Sequence, residues 1–133
     1  MLEVSYSLLT QELSMEGSSQ QLRDFVDVIE RCLVDKHCEV NLITNFDPSP
    51  YDRALNGLKL VFSDSKNEIR VVDDCLIIEG NEELFKSLAM NLPYDAEDPT
   101  SGIPYHIEYD RISFGHILND NSLDMNITKK RED

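Results

Sequence analysis

Apolar residues recur with two different periods along the first half of the chain. A period of two near the N-terminus is typical of a half-buried strand and is carried by Val4, Tyr6 and Leu8. This strand can continue over residues 13–16 after a bend. A spacing of three and four residues follows and predicts an amphipathic helix over 19–34. Its apolar stripe comprises Leu22, Phe25, Val26, Ile29 and Leu33.

The ends of these elements carry their own signals. Gly17 breaks the strand, and Ser18 or Ser19 can cap the helix because a hydroxyl accepts an unpaired backbone N–H. After the helix, alternation resumes over 38–44 and 58–63, which predicts two more strands. The stretch between them is rich in Asn, Asp and Pro, the composition of a loop.

The second half repeats this order of elements. Residues 69–72 and 75–78 are strand-like, and the acidic pair at 73–74 predicts a turn, a bulge or an exposed strand end. A helix is expected to begin after an N-cap at Asn81 and to stop before Pro93. The remaining predicted strands cover residues 105–110 and 123–127.

Sequence similarity supports the idea of an internal repeat. LSMEG at 13–17 and LIIEG at 76–80 lie 63 residues apart, and the same offset pairs Leu55 with Leu118. We therefore expect one α+β domain over 1–133, made of β-α-β-β repeats at about 1–66 and 67–133. Strands with one apolar face favour one mostly antiparallel sheet of about six to eight strands, with both helices on one face.

Charge is the strongest signal in the composition. The chain has 26 acidic and 12 basic residues and a formal net charge of −14. Nucleic acids and anionic membranes repel such a surface, whereas a basic protein partner is attracted to it. Acidity that serves solubility alone is the alternative. No apolar run reaches the roughly 20 residues of a membrane span. With no signal peptide recognised at the N-terminus, a cytoplasmic location is expected.

Candidate catalytic and metal-binding groups are few. His106, Glu108 and Asp110 alternate on one predicted strand and, with His116, could form a metal or acid–base site. The favoured alternative is the polar side of a half-buried strand. Cys32, Cys38 and Cys75 with His37 could bind zinc, but their spacing favours three reduced thiols. We predict no catalytic residue, no metal and no cofactor.

Two loops combine carboxylates with aromatic side chains, as tight protein interfaces often do, and the turn at 73–74 adds two further carboxylates. They are the predicted partner-binding residues, although ordinary surface loops would have the same composition. The set consists of Asp47, Tyr51, Asp52, Asp73, Asp74, Tyr94, Asp95, Glu97 and Asp98.

Three segments of the second half carry a family resemblance: IIEGNEELFKSLA at 77–89, YHIEYD at 105–110 and LNDNSLD at 118–124. They resemble the immunity protein 32 family of bacterial polymorphic toxin systems. The resemblance covers residues 76–130, and none of its motifs is catalytic. The first half keeps a faded copy, with Glu16-Gly17-Ser18 at the strand end and Glu39 near the position of the histidine.

The resemblance implies a cytoplasmic protein that neutralises a toxin domain by binding it. Many such toxins are nucleases with basic clefts, which fits an acidic inhibitor. Two alternatives stay open from the sequence. One is an acidic structural or regulatory interaction module with no toxin partner, and the other is a small metal-dependent enzyme that uses the His106 strand.

Overall fold

The computed structural model describes residues 2–94 and 105–130. Within them the chain is an α+β protein with two helices and nine strands. In chain order these are β1 (Glu3–Ser7), β2 (Glu12–Gly17), α1 (Ser19–Asp35), β3 (His37–Asn41), β4 (Arg53–Ala54), β5 (Gly57–Phe62), β6 (Glu68–Val72), β7 (Cys75–Gly80), α2 (Glu82–Asn91), β8 (Tyr105–Tyr109) and β9 (Met125–Lys129).

The strands form two mixed sheets, which replaces the predicted single, mostly antiparallel sheet. One sheet has the order β4-β1-β2-β9-β8 and the other the order β3-β5-β7-β6. The hairpin of each half pairs with strands of the opposite half, and the joining pairs, β2 with β9 and β5 with β7, are parallel. Parallel neighbours need long connections, so chain-local patterns do not reveal them.

The first predicted strand is also divided. Residues 8–11 form the turn between β1 and β2, with Gln11 in the left-handed region at φ 59°. Leu8, predicted to lie in the strand, is 64% exposed in this turn. The two strands then pair as an antiparallel hairpin, in which Val4 lies opposite Met15.

Equivalent main-chain contacts occur in the two sheets. The N–H of Lys130 donates to the carbonyl of Gly17, and that of Ser63 donates to Gly80, both at 2.8 Å. Likewise Leu55 donates to Val4, and Leu123 donates to Ile69, again at 2.8 Å. In these contacts Leu55 corresponds to Leu123, whereas the offset of 63 paired it with Leu118.

Both helices begin as predicted. Ser18 and Gln21 form a reciprocal capping box at the start of α1, with N···O distances of 3.1 and 2.9 Å. The side chain of Asn81 accepts the N–H of Leu84 at 3.0 Å to start α2. No helix among the described residues is long and apolar enough to cross a membrane.

One hydrophobic cluster joins both helices and both sheets. The stripe of α1 supplies fully buried Leu22, Phe25 and Ile29, and β5 and β7 contribute side chains that alternate inward. Burial of such apolar surface is the main favourable term of folding. The cluster therefore ties together strands that are distant in sequence.

Candidate functional site

A cleft with a volume of about 570 Å³ lies at one end of the five-stranded sheet. It forms where the β1–β2 turn, the end of β8 and the segment before β9 meet. Because β2 and β9 run parallel and β8 runs antiparallel to β9, these ends lie at the same side of the sheet. Its charged lining residues are Glu12, Glu108, Asp110, Arg111, Asp120 and Asp124.

Arg111 is the cation among those lining residues, and it is held in place. Its Nε lies 3.1 Å and its backbone N lies 2.9 Å from Oδ1 of Asp124, and its guanidinium donates to the carbonyl of Asp120 at 2.7 Å. The hydrogen bond to Asp124, and the charge of that carboxylate, raise the pKa of Arg111. This pair therefore forms a fixed, nearly neutral part of the cleft.

Three other carboxylates of the cleft have no directly bonded partner among the described residues, and of these Asp120 lies close enough to Arg111 for their charges to interact. Glu12, Glu108 and Asp120 are exposed, and within the described residues their carboxylates make no hydrogen bond or ion pair. Asp110 is half-buried and accepts the N–H of Ser113 at 2.7 Å. The cleft thus carries an excess of negative charge, which attracts a cationic group.

The predicted metal or acid–base set is only partly assembled. Glu108 and Asp110 line the cleft, whereas exposed His106 is not one of its lining residues. His116 lies beside Phe114, with ring centroids 6.4 Å apart. Among the described residues, no group of three or more His, Cys, Asp or Glu side chains is placed to hold a metal ion.

The alternative prediction, a half-buried strand with a polar side, matches the burial of β8. Tyr109 is fully buried, and Ile107 is half-buried, while His106 and Glu108 are exposed. The hydroxyl of Tyr109 donates to Oγ of Ser87 at 3.0 Å. Burial of that ring raises the pKa of Tyr109.

Two carboxylates of the predicted loop over 46–52 accept hydrogen bonds from backbone N–H groups. Asp47 accepts the N–H of Ser49 at 3.0 Å, and Asp52 accepts the N–H of Leu8 at 3.2 Å. Tyr51 is half-buried, and the loop lines a cavity of about 150 Å³ against β1 and β2. Asp47 therefore has a local structural role, and Asp52 binds the β1–β2 turn, whose residues Thr10 and Gln11 line the acidic cleft.

The predicted acidic pair occupies the turn between β6 and β7. Asp73 has a left-handed φ of 55°, so the turn predicted here is confirmed. NH1 of Arg53 lies 3.2 Å from Oδ1 of Asp74. Its NH2 group is 3.5 Å from the carbonyl of Asp73. This turn is partly neutralised by Arg53 and does not join the cleft.

Tyr94 is the described part of the last predicted loop. The guanidinium of Arg23 lies 5.6 Å from its ring centroid, and the carbonyl of Tyr94 accepts Oγ of Ser19 at 2.6 Å. The ring lines a groove of about 320 Å³ between α1 and α2. The other three predicted residues, Asp95, Glu97 and Asp98, lie outside the described residues.

The three cysteines are free thiols. Cys32 is fully buried in the last turns of α1, and burial, with a smaller effect of Cys38, raises its pKa to about 11. Burial also raises the pKa of Cys75. Zinc binds thiolates, so the raised pKa values make Cys32 and Cys75 poorer zinc ligands at neutral pH.

Residues of the family-like motifs have structural roles in this fold. Gly80 allows α2 to approach closely, because a Cβ there would lie 2.1 Å from Cδ2 of Leu84. Buried Ser122 accepts the N–H of Ile69 at 2.9 Å and so pairs with the outer side of β6. Packing and hydrogen bonding thus explain Gly80, Asn81 and Ser122 of these motifs.

Sequence reasoning missed most of the acidic cleft. Glu12, Arg111, Asp120 and Asp124 were not among the predicted site residues, and Glu108 was considered only for a metal or acid–base role. The acidic turn residues near 120 were a visible signal. Their proximity to Glu12 was not visible, because it depends on the parallel pairing of Leu13 with Met125.

No protein-family model matches the chain, and no significant match to a curated protein is found. The resemblance to the immunity protein 32 family therefore rests on the quoted motifs alone. The function has to be argued from the geometry and charge of the cleft.

Proposed function

We propose that the protein binds a basic protein partner through the acidic cleft and that this partner is a toxin domain, which binding neutralises. The observation that supports this proposal most directly is the excess of carboxylates around a cleft of about 570 Å³, where Glu12, Glu108 and Asp120 have no directly bonded partner among the described residues. Lys and Arg side chains of a partner are the groups that such a cleft attracts.

The whole charge of the chain supports the same partner. A net charge of −14 steers a cationic protein towards the surface and raises its association rate. The Arg111–Asp124 pair gives the cleft one fixed wall, so little of its geometry has to be ordered on binding. Glu12, Glu108 and Asp120 then provide attraction close to the contact.

Neutralisation requires only occlusion in this proposal. Toxins that cleave nucleic acids have basic substrate clefts, and a bound polyanionic protein blocks such a cleft both sterically and electrostatically. No catalytic residue is needed for this role. A cytoplasmic location, where such a toxin would act, belongs to the same proposal.

We also infer that the halves at about 1–66 and 67–133 are related units that exchange strands. The support is the pair of equivalent contacts, Lys130 with Gly17 and Ser63 with Gly80, at the ends of the two parallel strand pairs. In this arrangement each sheet contains a hairpin from one unit and two strands from the other. One unit alone would bury too little surface to be stable.

The cleft is tested with a triple variant, Glu12→Gln, Glu108→Gln and Asp120→Asn. The partner to assay is the product of the reading frame that neighbours the gene, and affinity is measured by titration calorimetry. We expect a loss of about tenfold to a thousandfold, since truncated charge contacts cost about 1.4 to 4 kcal/mol in sum.

A matched control removes three exposed carboxylates elsewhere, with Asp27→Asn, Glu30→Gln and Asp64→Asn. Both variants lose the same three charges, so only the position differs. We expect the control to keep most of the affinity and to protect cells against the toxin. Equal affinity of the two variants would assign the effect to total charge and reject the cleft.

A further inference from the structure

Short segments of the chain pair with the outer sides of β1 and β6. In the five-stranded sheet, β4 pairs with the outer side of β1. In the four-stranded sheet, Leu123 and Asn119 donate to the carbonyls of Ile69 and Asn67 along β6, each at 2.8 Å. The strands β3 and β8 each have one neighbour among the described strands, β5 and β9, and of these two edges β8 carries Glu108 of the acidic cleft whereas β3 lies away from it.

The hydrogen-bond pattern shows which groups of β3 face outward. The carbonyl of Lys36 accepts from Phe62, and the N–H of Leu42 donates to Asn56, so residues 36, 38, 40 and 42 face β5. By the alternation of an antiparallel pair, the backbone groups of His37, Glu39 and Asn41 face away. Such an edge is a template for another strand.

Charge at this edge is locally balanced, unlike the chain as a whole. Nε2 of His37 lies 3.2 Å from Oε1 of Glu39, and Nζ of Lys59 lies 3.9 Å from the same oxygen. The ammonium of Lys36 lies 4.0 Å from the ring centroid of Phe62. Two copies with a net charge of −14 each would therefore meet here at lower electrostatic cost than at the acidic cleft.

We propose that β3 pairs antiparallel with β3 of a second copy of this chain, with Cys38 at the twofold axis. In this register His37 lies opposite the partner subunit's Glu39, and the reverse pair forms at the same time. A register centred on Glu39 would instead place two like charges directly opposite each other, which destabilises a strand pair. The two four-stranded sheets become one eight-stranded sheet.

The dimer does not depend on the proposed toxin partner, and salt separates the two interactions. Two copies repel each other at long range, so dimerisation should strengthen as salt screens that repulsion. Between about 0.01 M and 1 M salt the screening length falls from about 30 Å to about 3 Å. Binding of a basic partner should weaken over the same range. Dimerisation can therefore be disproved without affecting the proposed binding of a basic partner, and the reverse also holds.

The first measurement is light scattering of the full chain during size-exclusion chromatography. We expect a mass of twice the 15.3 kDa chain at high salt and a shift towards the monomer at low salt. A single monomer peak at all salt and protein concentrations would overturn the proposal.

A charge exchange tests the register. His37→Glu places two carboxylates opposite each other at each of two symmetry-related positions, so self-association should weaken about tenfold or more. Adding Glu39→Gln restores a donor opposite the new carboxylate and the original net charge, so it should restore much of the dimer. His116→Glu is the matched control, an equal change at another exposed histidine.

Amide hydrogen exchange locates the contact by residue. In a dimer of this register the amides of His37 and Glu39 gain protection as protein concentration rises, whereas those of Cys38 and Val40 are protected already by β5. A dimer in which His37 and Glu39 exchange as fast as in the monomer would also overturn the proposal, because it would assemble through another surface.

Discussion

Glu39 and Glu108 occupy corresponding places in the two sheets and have opposite surroundings. Each follows a histidine by two residues, in β3 and in β8, and each is exposed. The residue opposite Glu39 on β5 is Lys59, at 3.9 Å, whereas the residue opposite Glu108 on β9 is Asn126. The cleft therefore has no cation opposite Glu108, whereas the β3 edge has Lys59 opposite Glu39. We call these two regions the acidic end and the balanced end.

The remaining charges reinforce this contrast. Beside β3, Lys59 lies next to Glu39, and Arg53 of β4 lies next to Asp74 in the β6–β7 turn. At the cleft, Arg111 is engaged by Asp124 and, among the described residues, forms no ion pair with Glu108. Similar backbone arrangements thus present different electrostatic surfaces. We assign the acidic end to a basic partner and the balanced end to a second copy.

Among single substitutions, the largest expected effect comes from Asn126→Lys, which places a lysine opposite Glu108 as Lys59 stands opposite Glu39. A basic partner should bind about ten- to a hundredfold more weakly, because a fixed cation both neutralises Glu108 and repels the ligand. Titration calorimetry measures this affinity. Wild-type affinity in this variant would show that the cleft does not contact the partner.

As pH rises into the alkaline range, the region around β3 and β5 should be destabilised before the region around the cleft. The thiol of Cys32, next to β3 and β5, has its pKa raised by burial from 9.0 to about 11, so the unfolded chain ionises it first. The free energy of unfolding should therefore fall as pH rises from 9.0 towards about 11. Tyr109, beside the cleft, adds a loss that starts near its ordinary value of 10.0.

Chemical denaturation at a series of pH values measures that stability, and hydrogen exchange locates the change. We expect amides of β5 to lose protection at lower pH than those of β9. Cys32→Ala is the control, because it removes this thiol and should reduce the first part of the pH dependence, of which Cys75, whose pKa burial also raises, keeps a share. Simultaneous loss in both strands would mean that the two ends unfold as one unit.

Lys59→Asn should have the smallest effect, since it makes the β3 end resemble the cleft end. The Lys59–Glu39 pair is exposed and long, so its removal should change the free energy of unfolding by less than about 1 kcal/mol. Dimerisation should weaken severalfold, because the edge becomes acidic. Urea titration and light scattering measure these two quantities, and an unchanged dimer would show that Lys59 does not balance the edge.

Several local features were readable from the sequence. The apolar stripe of α1 is buried as its spacing predicted, and the caps at Ser18 and Asn81 form. The turn at 73–74 is also present. These features depend on interactions between residues a few positions apart, so the local pattern determines them.

The partition into two sheets and the acidic cleft depended on tertiary structure. Parallel pairing of β2 with β9 brings Glu12 beside Asp124, more than a hundred residues later, and no local pattern encodes that pairing. The contrast between Glu39 and Glu108 likewise depends on which side chain lies opposite on the neighbouring strand. The composition alone determined the amount of negative charge. The strand pairings decided where carboxylates lie without a nearby cation, because the Coulomb interaction of two groups depends on their separation in space.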